Sequence, residues 1–244
     1  MIKTLEVCTD SMESLPLAKA GGAQRIELCS ALALGGLTPS YGLMQQAGRF
    51  DLPCYAMIRP RQGDFLFINA DVEIMLADIH AAKQAGLAGV VIGALTAQGD
   101  IDMTICRDLM KAAQGMGVTF HRAIDHCRDW QGALEQVIEL GCERILTSGQ
   151  AANAALGINT LKAMVEQAKG RLDIMAGAGV NANNAKEIVT QTGVTELHLS
   201  GKTMRNSNMQ FHQTQATMGQ ADCDDFAIPV TSSEAIQAVV SALR

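Results

Sequence analysis

Three observations predict an α/β fold of the (β/α)₈ barrel type. Eight short apolar runs recur along the 244 residues, helix-like stretches separate them, and no glycine-rich turn follows the first run. Strands alternating with helices of this length imply right-handed βαβ units in a parallel sheet. Eight such units in a chain of this size fit a closed barrel of the TIM type. An open doubly wound sheet is the rival, and it announces itself by a Gly-rich first turn. The segment CTDSMES stands there instead.

The runs, in order, are LEVC (5–8), RIELC (25–29), PCYAMI (53–58), GVVI (89–92), VTFH (118–121), RILTS (144–148), DIMAG (173–177) and ELHLS (196–200). The clearest helical patterns are 70–86, 102–117, 130–141 and the closing SSEAIQAVVSALR. Gly86, Gly115, Gly141 and Gly193 read as helix stops. Thr38 before Pro39, Asp102, Asp129 and Asn181 read as helix starts. Pro16 shifts the start of the first helix. No linker or change of composition divides the chain, so residues 1–244 are expected to form one domain. Residues 201–230 are predicted to be a long loop, a length usually tied to function or disorder.

Composition narrows the function. A hydrophobic fraction of 48% supports a sizeable core. A net charge of −6, with Lys and Arg scattered, argues against a nucleic-acid surface. No run is long enough to span a bilayer and no signal segment opens the chain, so a cytoplasmic location without membrane attachment is expected. Seven dispersed cysteines without a C-x-x-C pair suit neither a disulfide framework nor a structural zinc site.

Side chains on a strand alternate between faces. In a barrel the outer face packs helices and the inner face fills the interior. Placing Leu5, Val7, Ile26, Leu28, Val118, Phe120, Leu197 and Leu199 outward leaves Glu6, Cys8, Arg25, Glu27, Cys29, Arg59, His121 and His198 inside. Any one inward histidine or Glu–Arg pair reads as a structural contact. Glu6, Glu27, Arg59, His121 and His198 together read as a site, because unpartnered buried charges are costly unless they meet at a wet mouth. Asp125, four residues after His121, joins them as a further candidate, either in the chemistry or as an anchor for Arg122.

Small residues follow strands six to eight: Ser148 and Gly149 in TSGQ, Gly177 and Gly179 in MAGAG, Ser200 and Gly201 in LSGK. Backbone amides at the last two of these turns are the usual phosphate cradle of a TIM barrel. Arg59 and Arg61 of RPR would neutralise and orient an anion. His121 would act as general acid or base, with Glu6 or Glu27 as its counterpart.

The segments LEVC, IELCSALALGGLTPS, MIRPRQGDF, TFHRAIDHC, ILTSGQ, IMAGAGV and ELHLS resemble, in order and over most of the chain, the CutC family, named for copper homeostasis. Gln62 and Ile124 depart from the pattern beside the polar residues, and 201–230 matches it poorly. The resemblance implies a TIM-like barrel, a cytoplasmic location, a homo-oligomer and copper held by cysteine, with Cys29 at the matching position. Cu(I) favours soft thiolates and thioethers. Cys8 and Cys29, predicted inward on strands about 4.8 Å apart, could hold it together, with Met57 or Met175 nearby.

Two functions therefore stand side by side: Cu(I) handling through Cys29 and Cys8, and acid–base catalysis on a small anionic, phosphorylated metabolite. A retired barrel serving as an interaction module is a lesser third.

Overall fold

The computed structural model describes residues 2–213 and 224–244. Eight parallel strands close into a barrel in sequence order. They are β1 (Thr4–Thr9), β2 (Arg25–Leu28), β3 (Cys54–Met57), β4 (Gly89–Ile92), β5 (Gly117–Phe120), β6 (Arg144–Thr147), β7 (Asp173–Ala176) and β8 (Glu196–Leu199). Each coincides with one of the eight apolar runs. The helices are α1 (Ser14–Gly21), α2 (Tyr41–Ala47), α3 (Asn69–Gln84), α4 (Met103–Ala112), α5 (Trp130–Leu140), α6 (Ile158–Ala168), α7 (Ala185–Thr192) and α8 (Ser233–Ala242). No helix among the described residues is long and apolar enough to cross a membrane.

Helix ends follow side-chain chemistry. Asp102 accepts from the amides of Thr104 and Ile105, and Asp129 from that of Gln131, as N-caps do. Two expected starts are displaced. Ser40, not Thr38, caps α2 by accepting from Leu43. The side chain of Thr38 instead accepts from the amide of Arg59, 2.9 Å away. Asn181 opens a turn stabilised by Asn184, and α7 starts only after it. Gly141 and Gly193 end α5 and α7 at φ of +82° and +77°.

The region predicted as a long loop contains regular structure. Lys202–Asn206 (β9) pairs antiparallel with Ala227–Thr231 (β10), a two-stranded ribbon outside the barrel. Its strands pair across about twenty intervening residues, and Pro229 interrupts the apolar run, so neither strand announced itself.

The outer faces of the strands, with Val7, Ile26, Ala56, Val90, Val118, Ile145, Ile174 and Leu197, pack against the helices in one continuous apolar layer. The interior combines a small apolar cluster, with Met57 and Val91, and a network of buried charges. At its floor Arg25 bonds Glu6 and Glu196, Arg144 reaches Glu196 at 3.1 Å and Glu143 at 2.9 Å, and Thr119 accepts from Arg144 at 3.0 Å. Both guanidinium groups stand over the Tyr55 ring, 5.5 and 5.1 Å from its centroid. Gly89 and Gly117 give it room, since a Cβ on either would sit 2.2 Å from its Cε1 or 2.1 Å from its hydroxyl. Strand parity points Arg25 inward, where Arg144 and Glu196 join it. Pairing of opposite charges is what makes this buried cluster tolerable.

Candidate functional site

A cavity of about 480 Å³ opens above the floor, at the ends of the strands where barrel enzymes hold their sites. Cys8, Glu27, Arg59, His121 and His198 line it, together with Gly179 and Ser200. Met57 and Arg122 also reach it, as do Phe65, Val180 and Lys202, three residues with no signal in the sequence. The strand-parity rule thus brings the inward histidines, Glu27 and Arg59 to one place.

The deepest part of the wall is a chain of coupled groups. His198 Nδ1 lies 2.9 Å from Glu6 Oε1, and its Nε2 lies 3.6 Å from Glu27 Oε2. Glu6 and Glu27 are thereby bridged by one imidazole. Burial alone would raise the Glu6 carboxyl, but His198 and Arg25 outweigh it and hold it down to about 2. Glu27 moves the other way, raised chiefly by burial. Burial opposes charge on His198 as well, yet Glu27, Cys8 and Glu6 lift it well above its ordinary value. The deepest part of the wall is therefore a histidine held toward its charged form between two carboxyl groups.

His121 is the opposite case. Its Nδ1 accepts from the amide of Ala123 at 3.2 Å, which places the proton on Nε2. Gly93 leaves space for the ring, since a Cβ there would lie 2.5 Å from Cε1, and Phe65 packs on it with centroids 4.8 Å apart. Burial, then the charge of Arg59, brings its pKa down to about 3. With Nδ1 accepting and its pKa lowered, His121 is held as a neutral imidazole whose Nε2–H faces the cavity.

Arg59 is also changed by its surroundings. Its terminal nitrogens donate to the carbonyls of Leu34, Gly36 and Gly63, at 3.2, 3.3 and 2.6 Å. The two-pronged grip on an anion expected of it is taken up in joining two loops. Its charge still enters the cavity, and its Nε has no acceptor among the described residues.

Three buried side-chain atoms on cavity residues have no hydrogen-bond partner among the described residues: Glu27 Oε1, Arg59 Nε and His121 Nε2. Buried polar groups are seldom left so. Nearby, the backbone amides of Gly179, Val180 and Ser200 meet no acceptor among the described residues. Ala178 precedes them at φ +74°, a left-handed conformation that costs a non-glycine residue about 1 kcal/mol or more.

The other expected residues lie elsewhere. Glu6 sits beneath the cavity, wholly buried among its partners. Asp125 bonds Arg122 at 2.8 Å, the amides of Ser148 and Gln150, and the Thr147 hydroxyl, so it ties the β6 loop rather than facing a ligand. Ser148 is consumed by Asp125 and the Ala151 carbonyl, and the Gly149 amide by Thr147. Arg61 turns outward to Asp64, Asp71 and the Leu66 carbonyl. The Gly177 amide belongs to the strand ladder, and Gly201 packs on Ile236 at the start of α8. None of these residues lines the cavity.

Cys8 and Cys29 are also separated by register. Cys8 stands opposite Glu27, whereas Cys29 is two residues further along and bonds Glu27 Oε2 through its thiol at 3.6 Å. The donor atoms that converge are those of Cys8, Glu27 and His198, all within 4.8 Å of one another.

A closed eight-stranded parallel barrel with an ionic floor and a cavity at its mouth defines a TIM barrel. The CutC family model matches residues 3–203, and the chain belongs to that family. A family protein CutC of Photobacterium profundum is 62% identical over 241 residues, 98% of each chain, and one of Pasteurella multocida is 54% identical over the same shares. A solved structure from Streptococcus agalactiae, named for copper homeostasis as CutC, is 35% identical with a TM-score of 0.78, over 81% of this chain and 98% of that one. Thiamine phosphate pyrophosphorylase from Pyrococcus furiosus, 17% identical with a TM-score of 0.58 over 98% and 95%, shares the fold.

Proposed function

We propose that the protein binds and transforms a small anionic, phosphorylated metabolite at the barrel mouth. The observation that carries this reading is the trio of buried, unpartnered polar atoms, Glu27 Oε1, Arg59 Nε and His121 Nε2, on residues that share one cavity. A ligand entering the cavity would supply the missing bonds and offset their desolvation.

The parts divide by chemistry. The amides of Gly179, Val180 and Ser200, with Lys202 and the field of Arg59, grip the anion. His121 donates from Nε2 to an oxygen whose charge grows during reaction, a task suited to a neutral imidazole. Cys8, Glu27 and His198 face the reacting end from below. The six described cysteines are all free, which suits a reducing cytoplasm.

The test is a thermal-shift panel of phosphorylated metabolites and inorganic phosphate. At least one should raise the melting temperature, and Lys202→Ala should reduce that rise. Indifference to every phosphorylated compound would overturn the reading.

Copper handling is the second reading, favoured by the grouping of Cys8 with Glu27 and His198 and by the name of the Streptococcus agalactiae relative. A chelator-competition titration with Cu(I) separates it from the first: an affinity unchanged by Cys8→Ser and by Cys29→Ser eliminates this site.

A further inference from the structure

The grouping of Cys8, Glu27 and His198 has a composition that a Cu(I) dithiolate does not. One thiol sulfur, one carboxylate oxygen and one imidazole nitrogen lie within 4.8 Å of one another, and all three residues line the cavity. Soft Cu(I) selects sulfur ligands, whereas a mixed S, N, O set suits a borderline divalent ion such as Zn²⁺. Structural zinc sites close four protein ligands around the metal, while catalytic sites use three and leave the fourth position open.

Three features beyond the cluster itself point to an ion. His198 Nδ1 faces Glu6 Oε1 at 2.9 Å, leaving Nε2 turned toward Glu27 at 3.6 Å. A carboxylate behind a histidine is the arrangement that orients metal-ligating imidazoles and fixes their tautomer. Glu27, only 3% exposed, has Oε1 without any partner among the described residues. Its other oxygen already accepts from the Cys29 thiol at 3.6 Å, so Cys29 stands behind Glu27 as Glu6 stands behind His198.

We infer that Cys8, Glu27 and His198 form a three-ligand site for a divalent cation of the zinc class, with its fourth position opening into the barrel mouth. Binding places the metal on Cys8 Sγ, one Glu27 oxygen and His198 Nε2; the thiol proton and the Nε2 proton of His198 both leave to solvent, while Nδ1–H stays on Glu6. Cys29 and Glu6 support the ligands without touching the ion. This deepens the enzymatic reading by naming what sits beneath the bound anion, and a water held at the fourth position would be the group the site activates.

The experiment titrates metal-free protein with Zn²⁺ and, as a spectroscopic probe, Co²⁺, with no phosphorylated compound present. One equivalent of either metal should bind, and the Co²⁺ form should show a thiolate-to-metal absorption band. Cys8→Ser should remove that band, Glu27→Gln and His198→Ala should abolish one-to-one binding, and Cys29→Ser should keep both band and stoichiometry. Far-ultraviolet circular dichroism of each metal-free variant establishes folding. Should His198→Ala not fold, Cys8→Ser and Cys29→Ser decide alone. Absence of stoichiometric binding in the wild type, or a band that survives Cys8→Ser but vanishes in Cys29→Ser, would overturn the inference. The phosphate thermal shift is read separately, so failure of either proposal leaves the other result standing.

Discussion

Glu6 and His198 are register partners across the seam between β1 and β8, and their side chains meet at 2.9 Å. Arg25 grips the second oxygen of Glu6 from β2. One carboxylate therefore joins three strands at the point where the barrel closes. Replacing Glu6 by Gln leaves the facing charges under-compensated in a buried place. Loss of one partner of such a network costs about 3–5 kcal/mol. Urea denaturation of Glu6→Gln should show a loss of that order; a loss below about 1 kcal/mol would mean the network relaxes without it.

His121 gives the protein a signature in acid. Its ordinary pKa of 6.5 applies in the unfolded chain, while the folded value is about 3. Between these values the unfolded chain holds a proton that the native state refuses, so stability is fully present above 6.5 and falls as pH drops toward 3. One proton corresponds to about 1.4 kcal/mol per pH unit in that window. Replacing His121 by Asn should flatten the dependence of stability on pH between about 6 and about 4 relative to wild type. Parallel slopes for the two proteins would disprove the assignment.

Gly117 makes room for Tyr55 at the barrel floor. A Cβ there would lie 2.1 Å from the tyrosine hydroxyl and 2.6 Å from Glu143 Oε2. Gly117→Ala should destabilise by about 1–3 kcal/mol through overpacking. The same change made in a Tyr55→Leu background should cost clearly less, and a double-mutant cycle measures the difference. Additive effects would show that the ring is not the obstacle.

Ala178 holds φ at +74° where glycine would be unstrained. Ala178→Gly should therefore stabilise the fold by about 0.5–1 kcal/mol, contrary to the usual effect of adding glycine. Chemical denaturation checks the sign; a destabilised variant would show that the surrounding loop imposes no strain at this position.

The barrel was legible because its signal is local and repeated. Each strand is an apolar run bounded by polar turns, and parity alone placed Glu27, Arg59, His121 and His198 inside. Parity could not give height. Glu6 and Glu27 share an inward face, yet one lies in the floor and the other in the cavity wall. Height depends on stagger between strands, which separates Cys8 from Cys29 as well. Nor could residue type reveal which groups were already engaged. Arg61, Asp125 and Ser148 have the right chemistry for a ligand, but their bonds go to neighbouring loops. Lys202 was hidden for another reason: it opens the ribbon β9, formed by pairing across a long sequence gap.

The Glu6–His198 contact spans 192 positions of sequence. A chain emerging from the ribosome carries Cys8 and Glu27 from the outset but lacks their histidine until most of its length has been made. The half-made barrel must therefore shelter two acids and a thiol that have no imidazole to answer them. Assembly of the pocket is in this way a late event, coincident with closure of the ring, because a nascent chain arrested before β8 lacks one wall of the cavity.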